Sequence, residues 1–401
     1  MIQQVFKAFE YRDYRLLWIG ACTSSVGTWM QKVAQSWLVL SISGSPFLLG
    51  LDAFLGEIPI FLFSLVGGVV ADRVERRRIL LLSQFVQMSC AFMLAALIGF
   101  GVVKVWHILT LSFVTGLAQA FGGPAYQALV PMLVKKEDLH NAIALNSIQF
   151  NLARVIGPVL GGLAFTQLGA VWCFALNGVS FVAVVISLLL LTVRFVPERT
   201  TETMLASMQQ GLRYMRRQSA MTALIVLAFC MTALAVPLIT FLPVFAKDVF
   251  HHGPTTFTIF LVCSGVGSIT GALVVAGMGH LPNKGRAALI MLIVMGAGIT
   301  AFALSTNLVL SCVLLFLTGA SLISVFATIS SLVQLNTANE MRGRVMSVYN
   351  VAFRGGMPFG SLTTGWLVPV FSAPSVLAVN GLLLMGLAIY FLVVQRRVAA
   401  L

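Results

Sequence analysis

Twelve apolar stretches of about twenty residues or more follow one another along this chain, most of them joined by short polar connectors. A bilayer's hydrocarbon core of about 30 Å takes about 20 apolar residues per helix. The stretches read as helices over 14-42, 46-71, 78-100, 106-130, 141-166 and 170-193, then 220-246, 256-280, 286-304, 308-334, 342-369 and 374-394. One long polar segment, 194-219, leaves six on each side. Composition excludes a soluble alternative, because 59% of the 401 residues are hydrophobic and only 9% are charged, against about 25% charged in soluble domains. The expected fold is an all-α membrane protein of twelve transmembrane helices. It divides into an N-terminal six-helix bundle over 1-193, a cytoplasmic linker over 194-219 and a C-terminal six-helix bundle over 220-401. The opening M-I-Q-Q-V-F-K-A-F-E is too polar for a signal peptide, so the first apolar stretch is expected to remain as a span.

Basic residues set the orientation, since they favour cytoplasmic loops. With the N-terminus inside, only Lys104 and Lys247 of the 25 Lys and Arg fall in outer loops, while Lys32, Arg154 and Arg354 lie within spans. Both termini are then expected in the cytoplasm of a multi-pass protein of a bacterial inner membrane. The net charge of +13 is accounted for without a nucleic-acid partner. In the linker, Met204, Met208, Leu212 and Met215 recur at helical spacing beside Arg213, Arg216 and Arg217. That pattern suits an amphipathic helix lying on the anionic inner leaflet.

Asn151 to Gly162 reads N-L-A-R-V-I-G-P-V-L-G-G, and a related stretch, V-A-F-R-G-G-M-P-F-G-S-L, begins 200 residues later at Val351. Arg154 maps to Arg354 and Pro158 to Pro358. Two parallel six-helix halves describe a known transporter plan, and here the chain resembles the major facilitator superfamily. After span two it reads G-V-V-A-D-R-V-E-R-R-R, in which Gly68, Asp72, Arg73, Arg76 and Arg77 fit the superfamily's loop signature and Glu75 replaces its usual glycine. A second-half copy near Gly277 to Arg286 has lost the Asp-Arg pair. The run Gly157, Pro158, Gly161, Gly162 resembles the span-five motif of proton-driven exporters. The run R-G-R-V-M-S-V-Y-N from Arg342 resembles the branch that contains enterobactin and macrolide exporters.

The resemblance implies two pseudo-symmetric bundles and a cytoplasmic latch made by the loop signature. An aspartate there can sit against a helix N-terminus, worth roughly 0.3–2 kcal/mol; the plainer reading is that basic loops simply stay inside. It also implies substrate-cavity positions at Gln31, Gln35, Gln119, Tyr126, Thr240, Phe241 and Gln334, any of which could instead serve packing. Many proton-driven exporters carry an arginine in span four. This chain has none between Trp106 and Val130, so that proton route does not carry over.

Charge inside a membrane costs at least about 2.5–3.5 kcal/mol and marks functional candidates. Lys32 and Glu57 stand 12 and 13 residues from the turn near Gly44, so they can pair at a common depth. Arg354 is an alternative partner for Glu57. Glu57 or Asp52 is expected to carry the proton, with Lys32, Arg154 and Arg354 in coupling or gating; a static ion pair is the simpler alternative. Gly157, Pro158, Gly161, Gly162 and Pro358 are expected to form a hinge, or ordinary close helix packing.

The expected function is secondary transport by alternating access, with proton-coupled export of an amphiphilic drug, siderophore or lipid-like solute. Uptake, or ligand sensing without flux, is the alternative. No phosphate-binding G-x-x-x-x-G-K-[ST] loop appears, nor any nucleophile–base constellation, so an enzyme is not expected. His251-His252 lacks a third ligand, and the six cysteines lie in apolar segments without C-x-x-C spacing, so neither metal nor other cofactor is expected. The expected partners are the substrate, protons and the lipid bilayer, with the chain acting as a monomer.

Overall fold

In hydrocarbon no water is available to backbone N–H and C=O groups, so a spanning segment must satisfy them internally as a helix. The computed structural model describes residues 6–192, 209–210, 212–215, 218–277, 283–338 and 340–401, leaving aside the side chains of Ser219 and Ala276. Among the described residues there is no strand, and twelve helices of 20 residues or more follow in order. They are α1 (Arg12–Ser43), α2 (Pro46–Arg73), α3 (Arg76–Gly99), α4 (Val105–Leu129), α5 (Leu139–Gln167) and α6 (Ala170–Leu189). Then come α7 (Ser219–Val244), α8 (Pro254–Gly277), α9 (Lys284–Leu304), α10 (Leu308–Leu335), α11 (Arg342–Phe371) and α12 (Ala373–Val393). The linker residues Met204, Met208, Arg216 and Arg217, and the second-half loop over 278–282, lie outside the described residues.

Ten of these helices are long and apolar enough to cross a membrane. The exceptions are α1 and α11, which is a coarser result than twelve spans. Polar residues cause it: Thr28, Gln31, Lys32 and Gln35 in α1, and Arg342, Arg344, Asn350 and Arg354 in α11.

Local chemistry sets the helix ends. Gly44, at φ 61°, makes the left-handed turn between α1 and α2, a conformation that costs glycine little. Pro46 then opens α2, where a missing N–H does no harm. Asn307 begins α10 by accepting from Leu310 N at 3.0 Å.

The chain forms two units. The first takes residues 1–43 and 55–201, and the second takes 44–54 and 202–401. The N-terminal end of α2, through Phe54, therefore belongs with the second unit, and the rest of α2 with the first. In the first unit α1 packs on α5 and α6, and α3 packs on α4 and α6. In the second, α7 packs on α11 and α12, and α9 on α10 and α12. The two sets of pairings repeat one another.

The first unit is closed at one end by a strap. Lys7 Nζ lies 3.0 Å from Asp138, the Tyr11 hydroxyl donates to Asp138 at 2.7 Å, and Ala8 N donates to Asn141 at 2.9 Å. The Tyr11 hydrogen bond and then Lys7 hold the Asp138 carboxyl below its usual range, while Asp138 raises Lys7. Beneath the strap, Tyr14, Leu17, Leu80, Leu129 and Leu188 share one buried core. The second unit's core is aromatic instead, with Phe302 lying 4.9 Å from Phe245 and 5.7 Å from Phe260, ring centre to ring centre.

Candidate transport site

One face of α1 carries a chain of amides. Gln31 accepts from Asn177 of α6 at 2.6 Å and donates to Gln35 at 3.3 Å, and Gln35 donates to Ser112 of α4 at 2.8 Å. Two further networks lie in the same unit. Gln87 of α3 donates to Gln119 at 3.3 Å, and the Tyr126 hydroxyl donates to Asn146 at 3.3 Å and Gln149 at 3.5 Å. Gln149 in turn donates to Ser25 at 2.8 Å. Polar groups in an apolar interior must find partners, and here they find one another across five helices, α1 and α3 to α6. Asn177, Asn146, Gln149 and Ser112 were not singled out from the sequence. A lone amide within an otherwise apolar span, such as Asn177 in α6, is the signal that could have found them.

Beside this face, Lys32 Nζ lies 3.9 Å from Glu57 Oε1 of α2. The structure thus brings together the pair that residue counting from Gly44 suggested, and Arg354 makes no ion pair among the described residues. Lys32 Nζ also lies 5.0 Å from the centre of the Trp29 ring, and Arg154 Cζ of α5 lies 5.8 Å from the same centre. Both distances suit cation–π attraction. Phe150 meets Trp29 edge to face at 6.4 Å. Trp29 was not picked out from the sequence either, though it stands one helical turn before Lys32.

The α5 glycines explain how Trp29 comes so near. A Cβ at Gly157 would collide with Trp29 Cβ, and one at Gly161 would lie 2.9 Å from Met30 O. Only residues without side chains allow the two backbones to approach this closely. Pro158 and Gly162 are buried in the same helix, which continues past the proline.

In the second unit Arg354 is exposed, Asp52 is 8% exposed, and Phe241 is fully buried. The edge of the Phe241 ring rests near Gly50 and Gly365, where α2 and α11 approach backbone to backbone. Thr240 and Ser361 hydroxyls are 3.4 Å apart, and Gln334 donates to Ser330 at 3.4 Å. Pro358 is buried in α11, and Gly356 and Gly360 seat against α7 at Thr232 and Ala233.

At the loop after α2, the arginines finish helix ends. Arg76 donates to Ala71 O at 3.3 Å and Ala128 O at 3.0 Å, with Asp72 at 3.8 Å. Arg77 donates to Leu191 O at 3.2 Å and Leu189 O at 2.7 Å. These carbonyls lie at or near the C-terminal ends of α2, α4 and α6, where helices lack intrahelical donors. Arg73 is exposed, and Gly68 is half-buried in α2. Glu75 takes the signature's glycine position at φ −54°, a conformation open to any residue, and pairs with Arg78 at 2.6 Å.

Comparison with known proteins gives a consistent result. The family model described as transmembrane secretion effector matches residues 4–400. The multidrug efflux pump Tap of Mycolicibacterium fortuitum is 27% identical over 87% of this chain and 88% of its own length. The enterobactin exporter EntS of Shigella boydii serotype 4 (strain Sb227) is 25% identical over 96% of this chain and 92% of its own. In fold, a crystal structure of a POT family transporter in complex with a thioalcohol-conjugated peptide superposes with a TM-score of 0.77 at 12% identity, covering 96% of each chain.

Proposed function

The chain belongs to the transmembrane secretion effector family of the major facilitator superfamily, and from that premise we propose that it exports an amphiphilic small molecule in exchange for protons. It is a multi-pass membrane transporter and not an enzyme. In this reading α1 to α12 all span the bilayer, both termini are cytoplasmic, and two six-helix bundles joined by the linker work by alternating access. The relatives named above supply the direction and the substrate class, a drug or siderophore-like amphiphile.

The observation that carries proton coupling is the Lys32–Glu57 pair, 3.9 Å apart in neighbouring helices. Burial favours the neutral carboxyl and a nearby ammonium favours the charged one. A small movement of α1 against α2 changes that balance, so Glu57 takes a proton when Lys32 withdraws and releases it when Lys32 returns. Asp52 is the second carboxyl available for this role, and Arg154 and Arg354 act in gating. Asp72, Arg73, Arg76 and Arg77, with Gly68, form the cytoplasmic latch, and the glycines and prolines of α5 and α11 form the hinge. Gln31, Gln35, Gln119, Tyr126, Thr240, Phe241 and Gln334 line the route in states of the cycle that open to them.

Inverted membrane vesicles test the reading. Accumulation of dyes, macrolides and catecholate siderophores is followed with an imposed proton gradient and after its collapse, for the wild type and Glu57→Gln. The expected result is gradient-dependent accumulation that the variant loses. Equal accumulation by Glu57→Gln would remove Glu57 from coupling, and accumulation unaffected by collapsing the gradient would remove the proton.

A further inference from the structure

Lys32 has its acceptor in Glu57. Arg154 has neither an ion-pair partner nor a hydrogen-bond acceptor among the described residues, and its guanidinium lies against the Trp29 ring. Its depth sharpens the point. Along α5, Arg154 stands 15 residues from Leu139 and 13 from Gln167, and along α1, Trp29 stands 17 from Arg12 and 14 from Ser43. At 1.5 Å per residue each is roughly 20 Å or more from either helix end. A guanidinium there cannot reach a headgroup phosphate by the short extension that serves residues near helix ends. Lys32, Glu57 and Arg154 together leave one positive charge beside one indole ring.

We propose that Arg154 and Trp29 form an anion-recognition subsite: the transported amphiphile carries an acidic group, a carboxylate, sulfonate or ionised catechol, that pairs with Arg154 while its apolar body packs against Trp29. This rests on the amphiphile-export reading and narrows its substrate class. The guanidinium offers five N–H donors in a rigid fork, which can bond two oxygens of one anionic group at once, as an ammonium cannot. In this structure Lys32 has Glu57 beside it and Arg154 has no acidic partner among the described residues, so Arg154 is the cation free to bind. Gly157 fixes the geometry by holding α1 and α5 together at Trp29.

The test uses the purified full chain in phosphatidylcholine nanodiscs and two probes that differ by one charge: anilinonaphthalene sulfonate and its uncharged parent, phenylnaphthylamine. Equilibrium binding is measured above that of empty nanodiscs. The wild type is expected to bind the sulfonate about tenfold more tightly than the parent. Arg154→Gln is expected to erase that preference while leaving the parent's affinity unchanged, and Arg154→Lys is expected to restore part of it. Equal affinity for both probes in the wild type, or a preference that survives Arg154→Gln, would overturn the subsite and leave the export reading standing. Loss of the preference in phosphatidylglycerol nanodiscs would assign the site to lipid and also overturn it. Failure of inverted vesicles to concentrate any amphiphile, with the sulfonate preference intact, would count against export and leave the subsite supported.

Discussion

The two arginine–proline stretches match in residue type and differ in use. Arg154 and Arg354, like Pro158 and Pro358, are 200 residues apart, but the glycines that seat each helix on its neighbour, Gly157 with Gly356 and Gly161 with Gly360, are 199 apart. One residue of slip on an α-helix is a rotation of about 100°. Measured from the middle of its packing face, Arg154 is rotated by roughly 40° and Arg354 by roughly 140°. Hence Arg154 is half-buried against Trp29 while Arg354 is exposed. In the packing register the counterpart of Arg154 is Phe353, whose ring lies 4.6 Å from that of Phe326. The counterpart of Phe150 is Tyr349, which stacks on Phe353 at 6.2 Å. The first half places a cation on an aromatic ring where the second places a ring on a ring. Repeated letters therefore do not imply repeated positions, and the contact glycines give the truer alignment.

The largest expected effect tests whether those glycines are equivalent. Gly157→Leu and Gly356→Leu each drive a side chain into a neighbouring helix, and overpacking of this kind costs about 3 kcal/mol. Both variants are expected to lower the melting temperature in detergent and to abolish transport. If only one did, the packing register would be wrong. A smaller effect separates the arginines. Arg154→Ala is expected to reduce transport roughly tenfold, the weight of one charge-assisted contact, and Arg354→Ala only about twofold, as read by initial rates in vesicles. Equal losses would mean that the rotation has no functional meaning.

The smallest effect concerns the strap of the first unit. Asp138 has a depressed pKa, so its contribution is present above about pH 3.9, the unfolded carboxylate value, and is lost as the pH falls through the depressed one. Wild type and Asp138→Asn should melt apart at neutral pH and converge in acid. Curves that stay parallel down to the acid end would detach the strap from stability.

Much of the fold was legible because hydropathy and length are enough to mark a helix in lipid. The twelve helices fall within a few residues of their expected ends, and Gly44 made the first hairpin countable, which brought Lys32 to Glu57. What hydropathy could not give was rotation. Nothing in the spacing of Arg154 and Arg354 says which one faces a neighbour, because that depends on glycine contacts made across helices. Trp29 escaped notice for the same reason, since its importance comes from α5 and not from its own surroundings in the chain. The loop signature leads to the expectation of a latch at Arg76 and Arg77. Within the first unit both satisfy helix-end carbonyls, a duty that sequence separations of 52 and 114 residues conceal.

The division of α2 bears on how the protein is made. Gly50 rests against Ser361, which the ribosome adds 311 residues later. At a synthesis rate of about 5–20 residues per second, roughly 15–60 s separate the two. For that interval the N-terminal end of α2 is finished, while the surface it will seat against does not yet exist. The first hairpin must wait with a bare glycine face until that surface is made.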